Sequence, residues 1–152
     1  MKRLTILTVG ICLLLTSVPV MADQAADEAA IRKAFEEYLS VFNTHDTTAI
    51  GALHDDTFEH WKGIYKGKDG AVKSHEDMFS RQKDWRIEVV DEIGLVFVTP
   101  NVAIYKLRCQ TSGIVDANGN GLPPIKFLQA IVYVKRDMQW LRAATFSRDI
   151  EE

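Results

Sequence analysis

Two hydrophobic periods divide this chain. Ile31, Ala34, Phe35, Tyr38, Leu39 and Phe42 recur every three or four positions. That is the stripe of a helix with one buried face, and it predicts a first helix over Asp27–Asn43. Asn43-Thr44-His45-Asp46 ends it, and Asp46 is placed to cap a short second helix, Thr47–Leu53. Thr57–Trp61 reads as a short strand, turned by Lys62-Gly63 into a second one around Ile64-Tyr65. Gly67 and Gly70 bracket Asp69, which opens a third helix to about Gln82 that would bury Val72, Met78 and Phe79.

From Trp85 the period becomes two. Strands are predicted over Trp85–Phe97, Val102–Ser112, Ile125–Lys135 and Gln139–Ser147. Thr99-Pro100-Asn101 and Arg136-Asp137-Met138 are tight turns, and Asp116–Gly121 is a longer glycine-rich tip. Helices followed by long strands joined tightly indicate an α+β domain, with a strongly bent antiparallel sheet and the helices on one face.

The first residues carry a different pattern. Lys2 and Arg3 precede an apolar run from Leu4 to Leu15, and Val20-Met21-Ala22 supplies a cleavage site. Residues 1–22 are expected to be a secretory signal peptide, and residues 23–152 one domain, periplasmic or secreted. The run is shorter than the roughly 20 residues of a membrane span, so no membrane association is expected after cleavage. Removing Lys2 and Arg3 from the 18 basic residues leaves 16 against 21 acidic ones. That balance argues against nucleic acid, whose phosphates require a basic face. Cys109 is then the only thiol. It lies in an alternating strand and reads as buried and structural.

The order of elements resembles the nuclear transport factor 2-like superfamily, in its SnoaL-like and ketosteroid-isomerase-like branches. The residues that carry the resemblance are Tyr38, His45-Asp46, Leu53-His54-Asp55-Asp56, Gly67-Lys68-Asp69-Gly70, Thr99-Pro100-Asn101-Val102-Ala103 and Trp140 with Phe146-Ser147. It implies a cone, in which a curved sheet wraps the N-terminal helices and leaves a pocket at its open end. It also implies a homodimer through the outer sheet face. The isomerases of the family place a hydrogen-bonding tyrosine on the first helix, which Tyr38 matches. They place a carboxylate base on the first strand, where His60 falls, and a protonated acid on the penultimate strand, where Ala130 falls. One role is kept, one replaced and one lost.

His60 and Tyr38 are therefore the candidate catalytic pair, since an imidazole exchanges protons near neutrality. Tyr38 is equally a core residue in register with Phe35 and Phe42. Phe42, Trp61, Phe79, Trp85 and Phe146 are candidate ligand-binding residues or core. Arg108 holds an acidic ligand if Ile104, Lys106, Arg108 and Gln110 face the cone; the opposite parity turns Tyr105, Leu107 and Cys109 inward. Phe127, Ile131 and Tyr133 line one face of a strand, and Leu128, Val132 and Val134 the other. Asp46, Asp55 and Asp56 read as cap and turn residues. His45, His54, Glu59 and His75-Glu76-Asp77 add metal-ligand types without metal-motif spacing, so no metal or other cofactor is expected. The expected function is small-molecule binding, with acid–base chemistry on a small oxygenated substrate. The alternative is a non-catalytic binding or dimerisation module.

Overall fold

The computed structural model describes residues 18–60 and 64–150. Its elements are α1 (Val18–Asn43), α2 (Thr47–Ala52), β1 (His54–His60), α3 (Gly67–Phe79), β2 (Arg86–Thr99), β3 (Val102–Ser112), β4 (Ile125–Arg136) and β5 (Gln139–Asp149). The four long strands form the antiparallel meander that alternation predicts. Helix α1 begins well upstream of Asp27. Among the described residues no helix is long and apolar enough to cross a membrane.

One sheet runs in the order β1-β5-β4-β3-β2. Its first strand departs from expectation. β1 starts at His54 and pairs parallel with β5, His54 opposite Arg142 and His60 opposite Thr145. Of the expected hairpin beyond it, the turn at Lys62-Gly63 lies outside the described residues, and the described ones form a bridge between Glu59 and Lys66. Asp55 is consequently a buried strand residue and not a turn residue. Its carboxylate accepts from the Thr57 amide and hydroxyl, and from Arg136 Nε at 2.9 Å. Asp46 does cap α2, accepting from the Ala49 amide at 3.1 Å.

The curvature comes from β2. Its pairing with β3 slips between Val89 and Asp91, between Glu92 and Gly94, and between Phe97 and Thr99. Each slip leaves one residue unopposed and bends the strand. The concave face receives α1, whose Ile31, Phe35, Tyr38 and Phe42 are all buried. They meet Ala103, Tyr105, Leu107 and Cys109 from β3, and Phe127, Ile131 and Tyr133 from β4. The inward parity of β3 is thus the odd one. Cys109 is fully buried, and desolvation pushes its thiol up to about 11, so it packs as a small apolar group.

Polar clamps fix α1 against the sheet. Asn43 Nδ2 donates to the Ile87 carbonyl at 3.0 Å, and Asn43 Oδ1 accepts from the Ile87 amide at 2.9 Å. At the other end Asp27 accepts from Lys135 Nζ at 2.6 Å and from Trp140 Nε1 at 3.0 Å.

Candidate functional site

The open end holds a cavity of about 350 Å³, walled by α1, β1, α3 and the inner faces of β3, β4 and β5. That is at the small end of the range for ligand sites. Most of the wall is apolar, from Phe42, Phe58, Met78, Ile87 and Phe127, with polar groups converging from Tyr38, His54, His60, His75, Gln129 and Arg142.

Helix α3 supplies the central imidazole. Ala71, His75, Met78 and Phe79 lie on one stripe, which aims His75 inward from an otherwise polar helix. Its Nδ1 lies 2.7 Å from the Ala71 carbonyl, an acceptor only, so Nδ1 carries the proton. Nε2 must then be the acceptor, and the Tyr38 hydroxyl donates to it at 2.9 Å. Burial pushes His75 down to about 4. The Arg142 cation and His60 act in the same direction, against the Ala71 hydrogen bond. His75 is therefore neutral at pH 7, with its lone pair directed at Tyr38.

His54 follows the same rule at the start of β1. Its Nδ1 donates to the Ile50 carbonyl at 2.8 Å. Burial, then the Arg142 charge, bring it down to about 3. Burial raises the Tyr38 phenol above its usual value, and Arg142 opposes that rise.

Arg142 is the cation common to all three. It projects inward from β5, 2% exposed, at a position with the same parity as Trp140. The guanidinium carbon lies over the Tyr38 ring, 3.4 Å from its centroid. Nη2 donates to Thr145 Oγ1 at 2.9 Å. Among the described residues Nε and Nη1 have no acceptor, and Gln129 Oε1 in the same wall has no donor. Buried polar groups are normally satisfied, so these atoms point to a site.

Of the residues singled out in the sequence, Tyr38, Phe42, His60 and Trp85 line the cavity. Trp61 lies outside the described residues. Three candidates lie elsewhere. Arg108 is on the outer face, where its Nη1 meets Asp91 at 2.6 Å, because the odd residues of β3 take the inside. Phe146 is 52% exposed and faces outward beside Ile93 and Leu128. Phe79 is core, stacked on His45 at 4.1 Å. Ala130, aligned above with the isomerases' second acid, also faces outward, and the inward residue is Gln129. His75, His54, Arg142 and Gln129 are the site residues that motif reading missed. The signal for His75 was its place on the Ala71–Met78–Phe79 stripe.

No protein-family model matches the chain, and no curated protein matches it. Solved structures do. A hexachlorocyclohexane dehydrochlorinase, LinA-type3, from Novosphingobium barchaimii LL02 superposes with a TM-score of 0.76 at 20% identity, over 86% of this chain and 91% of that one. A putative scytalone dehydratase from Novosphingobium aromaticivorans gives 0.70 at 15% identity, over 86% and 89%. A protein with a cystatin-like fold from Caulobacter vibrioides gives 0.71 at 17% identity, over 82% and 89%. Identities this low carry the architecture and not the activity. The chain has a cystatin-like fold, a curved sheet closed around its N-terminal helices.

Proposed function

We propose that the cavity takes up a small, partly apolar, oxygenated molecule and moves a proton on it. The carrying observation is the Tyr38 hydroxyl donating to His75 Nε2 at 2.9 Å in the cavity wall, with Nδ1 pinned by Ala71. A ligand oxygen entering beside Tyr38 accepts its proton in place of His75, and the His75 lone pair is released toward the neighbouring carbon. Tyr38 then polarises a carbonyl while His75 takes the proton next to it. The reaction class is isomerisation or loss of water through an enolate. A dehydrochlorinase and a putative dehydratase among the structural neighbours support a chemistry of this kind on the scaffold. His60, at the end of β1, is the second proton carrier of the same cavity.

The test is deuterium exchange next to the carbonyl of small cyclic ketones (cyclohexanone and 1-tetralone) in heavy water, followed by NMR. The wild type accelerates exchange, and His75→Gln loses roughly 100-fold or more. A His60→Ala variant with unchanged exchange removes His60 from the chemistry. If no ketone exchanges faster with the protein than without it, the acid–base reading falls and binding alone is left.

A second reading is favoured by the outer face. Ile93, Val96 and Phe146 are exposed there, apolar side chains that a partner could cover. A second copy of the chain on this face makes a homodimer, and a putative association domain from Xanthomonas campestris shares the fold at a TM-score of 0.64. A monomer by sedimentation at micromolar concentration overturns it. Export rests on the basic, apolar and small-residue pattern of residues 1–22. Recovery of a periplasmic or secreted protein beginning at Asp23 is the outcome that supports it.

A further inference from the structure

Arg142 has more hydrogen-bonding capacity than its surroundings use. A guanidinium offers a face and five N–H donors along its edges. The guanidinium carbon sits over the Tyr38 ring at 3.4 Å. Thr145 Oγ1 takes one proton of Nη2. Nε and Nη1 have no acceptor among the described residues. Whichever Nη2 proton Thr145 takes, one edge keeps two parallel N–H groups: Nε with Nη2, or Nη1 with Nη2. Two parallel donors on a planar cation match the two oxygens of a carboxylate.

Charge balance leads to the same ligand. Arg142 is 2% exposed, and among the described residues no carboxylate lies within ion-pair distance of it. The part-buried Lys135 is treated differently, with Asp27 as its counter-charge, and the buried carboxylate of Asp55 is paired with the exposed Arg136. A buried cation without a counter-charge is costly unless an anion completes it. His54 and His75, whose Nδ1 protons are held by the Ile50 and Ala71 carbonyls, supply no negative charge. The rest of the wall is mainly apolar, from Phe42, Phe58, Met78, Ile87 and Phe127, with Thr111, Ser147 and the Asp149 carboxylate also lining it.

We propose that Arg142 is the anchor for a carboxylate, so that the ligand is a small monocarboxylic acid whose apolar part fills the rest of the cavity. This assignment rests on the cavity reading above and is independent of proton transfer. An anchored carboxylate places the ligand's body across Tyr38 and His75, because the cation stacks on the tyrosine that hydrogen-bonds the histidine.

The experiment compares benzoate with benzamide, which has the same shape and no charge. Binding is measured by calorimetry and by the shift of the Arg142 Nε–H resonance in ¹⁵N-labelled protein. Benzoate should bind about 10- to 100-fold more tightly than benzamide and move that resonance. Arg142→Met should abolish the preference. Because Arg142 is buried, a second pair of variants guards against misfolding. Thr145→Asp puts a carboxylate against Nη2 and should abolish benzoate binding, whereas the neutral, similar-sized Thr145→Asn should keep it. Equal binding of benzoate and benzamide overturns the carboxylate assignment and leaves the cavity reading standing. Binding of neither overturns both, and benzoate binding unaffected by Thr145→Asp overturns the assignment to Arg142.

Discussion

The two neutral histidines make a sharp prediction about acid. His54 and His75 are held near 3 and near 4 in the fold by burial, aided by the Arg142 charge. In the unfolded chain each returns to roughly 6.5. Between these values the unfolded state binds more protons than the folded one, so stability falls as the pH falls. The contribution is complete above about pH 7 and is lost from about 6.5 downward, levelling off only below the folded values. At pH 5 each unfolded imidazole is almost fully protonated while its folded counterpart is not, which costs about 2 kcal/mol apiece, or about 4 kcal/mol for the pair. Near pH 5.5 the combined slope is about 2.5 kcal/mol per pH unit. The carboxylates held down by their partners, among them Asp27, Asp55 and Glu92, lose their contribution only around and below pH 4. The window from 5 to 6.5 therefore belongs to the imidazoles. Urea unfolding followed by tryptophan fluorescence across that window measures the slope. His54→Asn should remove about half of it, because the amide can still donate to Ile50 and cannot titrate. A flat stability profile, or NMR titration of His54 and His75 near 6.5 in the folded protein, refutes the reasoning.

Three further outcomes are expected. Tyr38→Phe leaves His75 Nε2 buried without its donor and should cost about 1–3 kcal/mol in urea unfolding, while abolishing ketone exchange. Gly113→Ala should destabilise by more than about 2 kcal/mol, since Gly113 has φ +72° and an added Cβ would lie 1.8 Å from the Asp84 carbonyl oxygen; thermal unfolding checks it. Asp27→Ala breaks the Lys135 ion pair and the Trp140 hydrogen bond together, with an expected loss of about 1–3 kcal/mol and faster amide exchange in the first turns of α1.

The architecture was largely legible because its periods are clean. The stripe Ile31, Phe35, Tyr38 and Phe42 and the alternation of β3 and β4 each bury one face, and the structure buries those same residues. β1 was not legible in full. His-Asp-Asp-Thr reads as a turn locally, and only pairing with β5, far along the chain, makes it a strand. The site was half legible. Tyr38 and His60 stand out by residue type and by resemblance. Arg142 looks like a solvent cation in Leu-Arg-Ala, and His75 sits in the polar run Ser-His-Glu-Asp. What distinguishes both is the parity of the element that carries them, set by Trp140 in one case and by Ala71 and Phe79 in the other. Which of a buried arginine's protons lack acceptors is a three-dimensional fact that no local pattern encodes.

The parallel pairing of β1 with β5 also sets an order of events. β5 is the last strand among the described residues, yet it lies between β1 and β4, and His54 lies opposite Arg142 on it. β1 must wait for β5 before the sheet can close, and contacts that distant in sequence form slowly. The cavity wall is therefore completed last, when β5 carries Arg142 in over Tyr38. A chain lacking β5 would leave β1 without its partner strand and the cavity without Arg142.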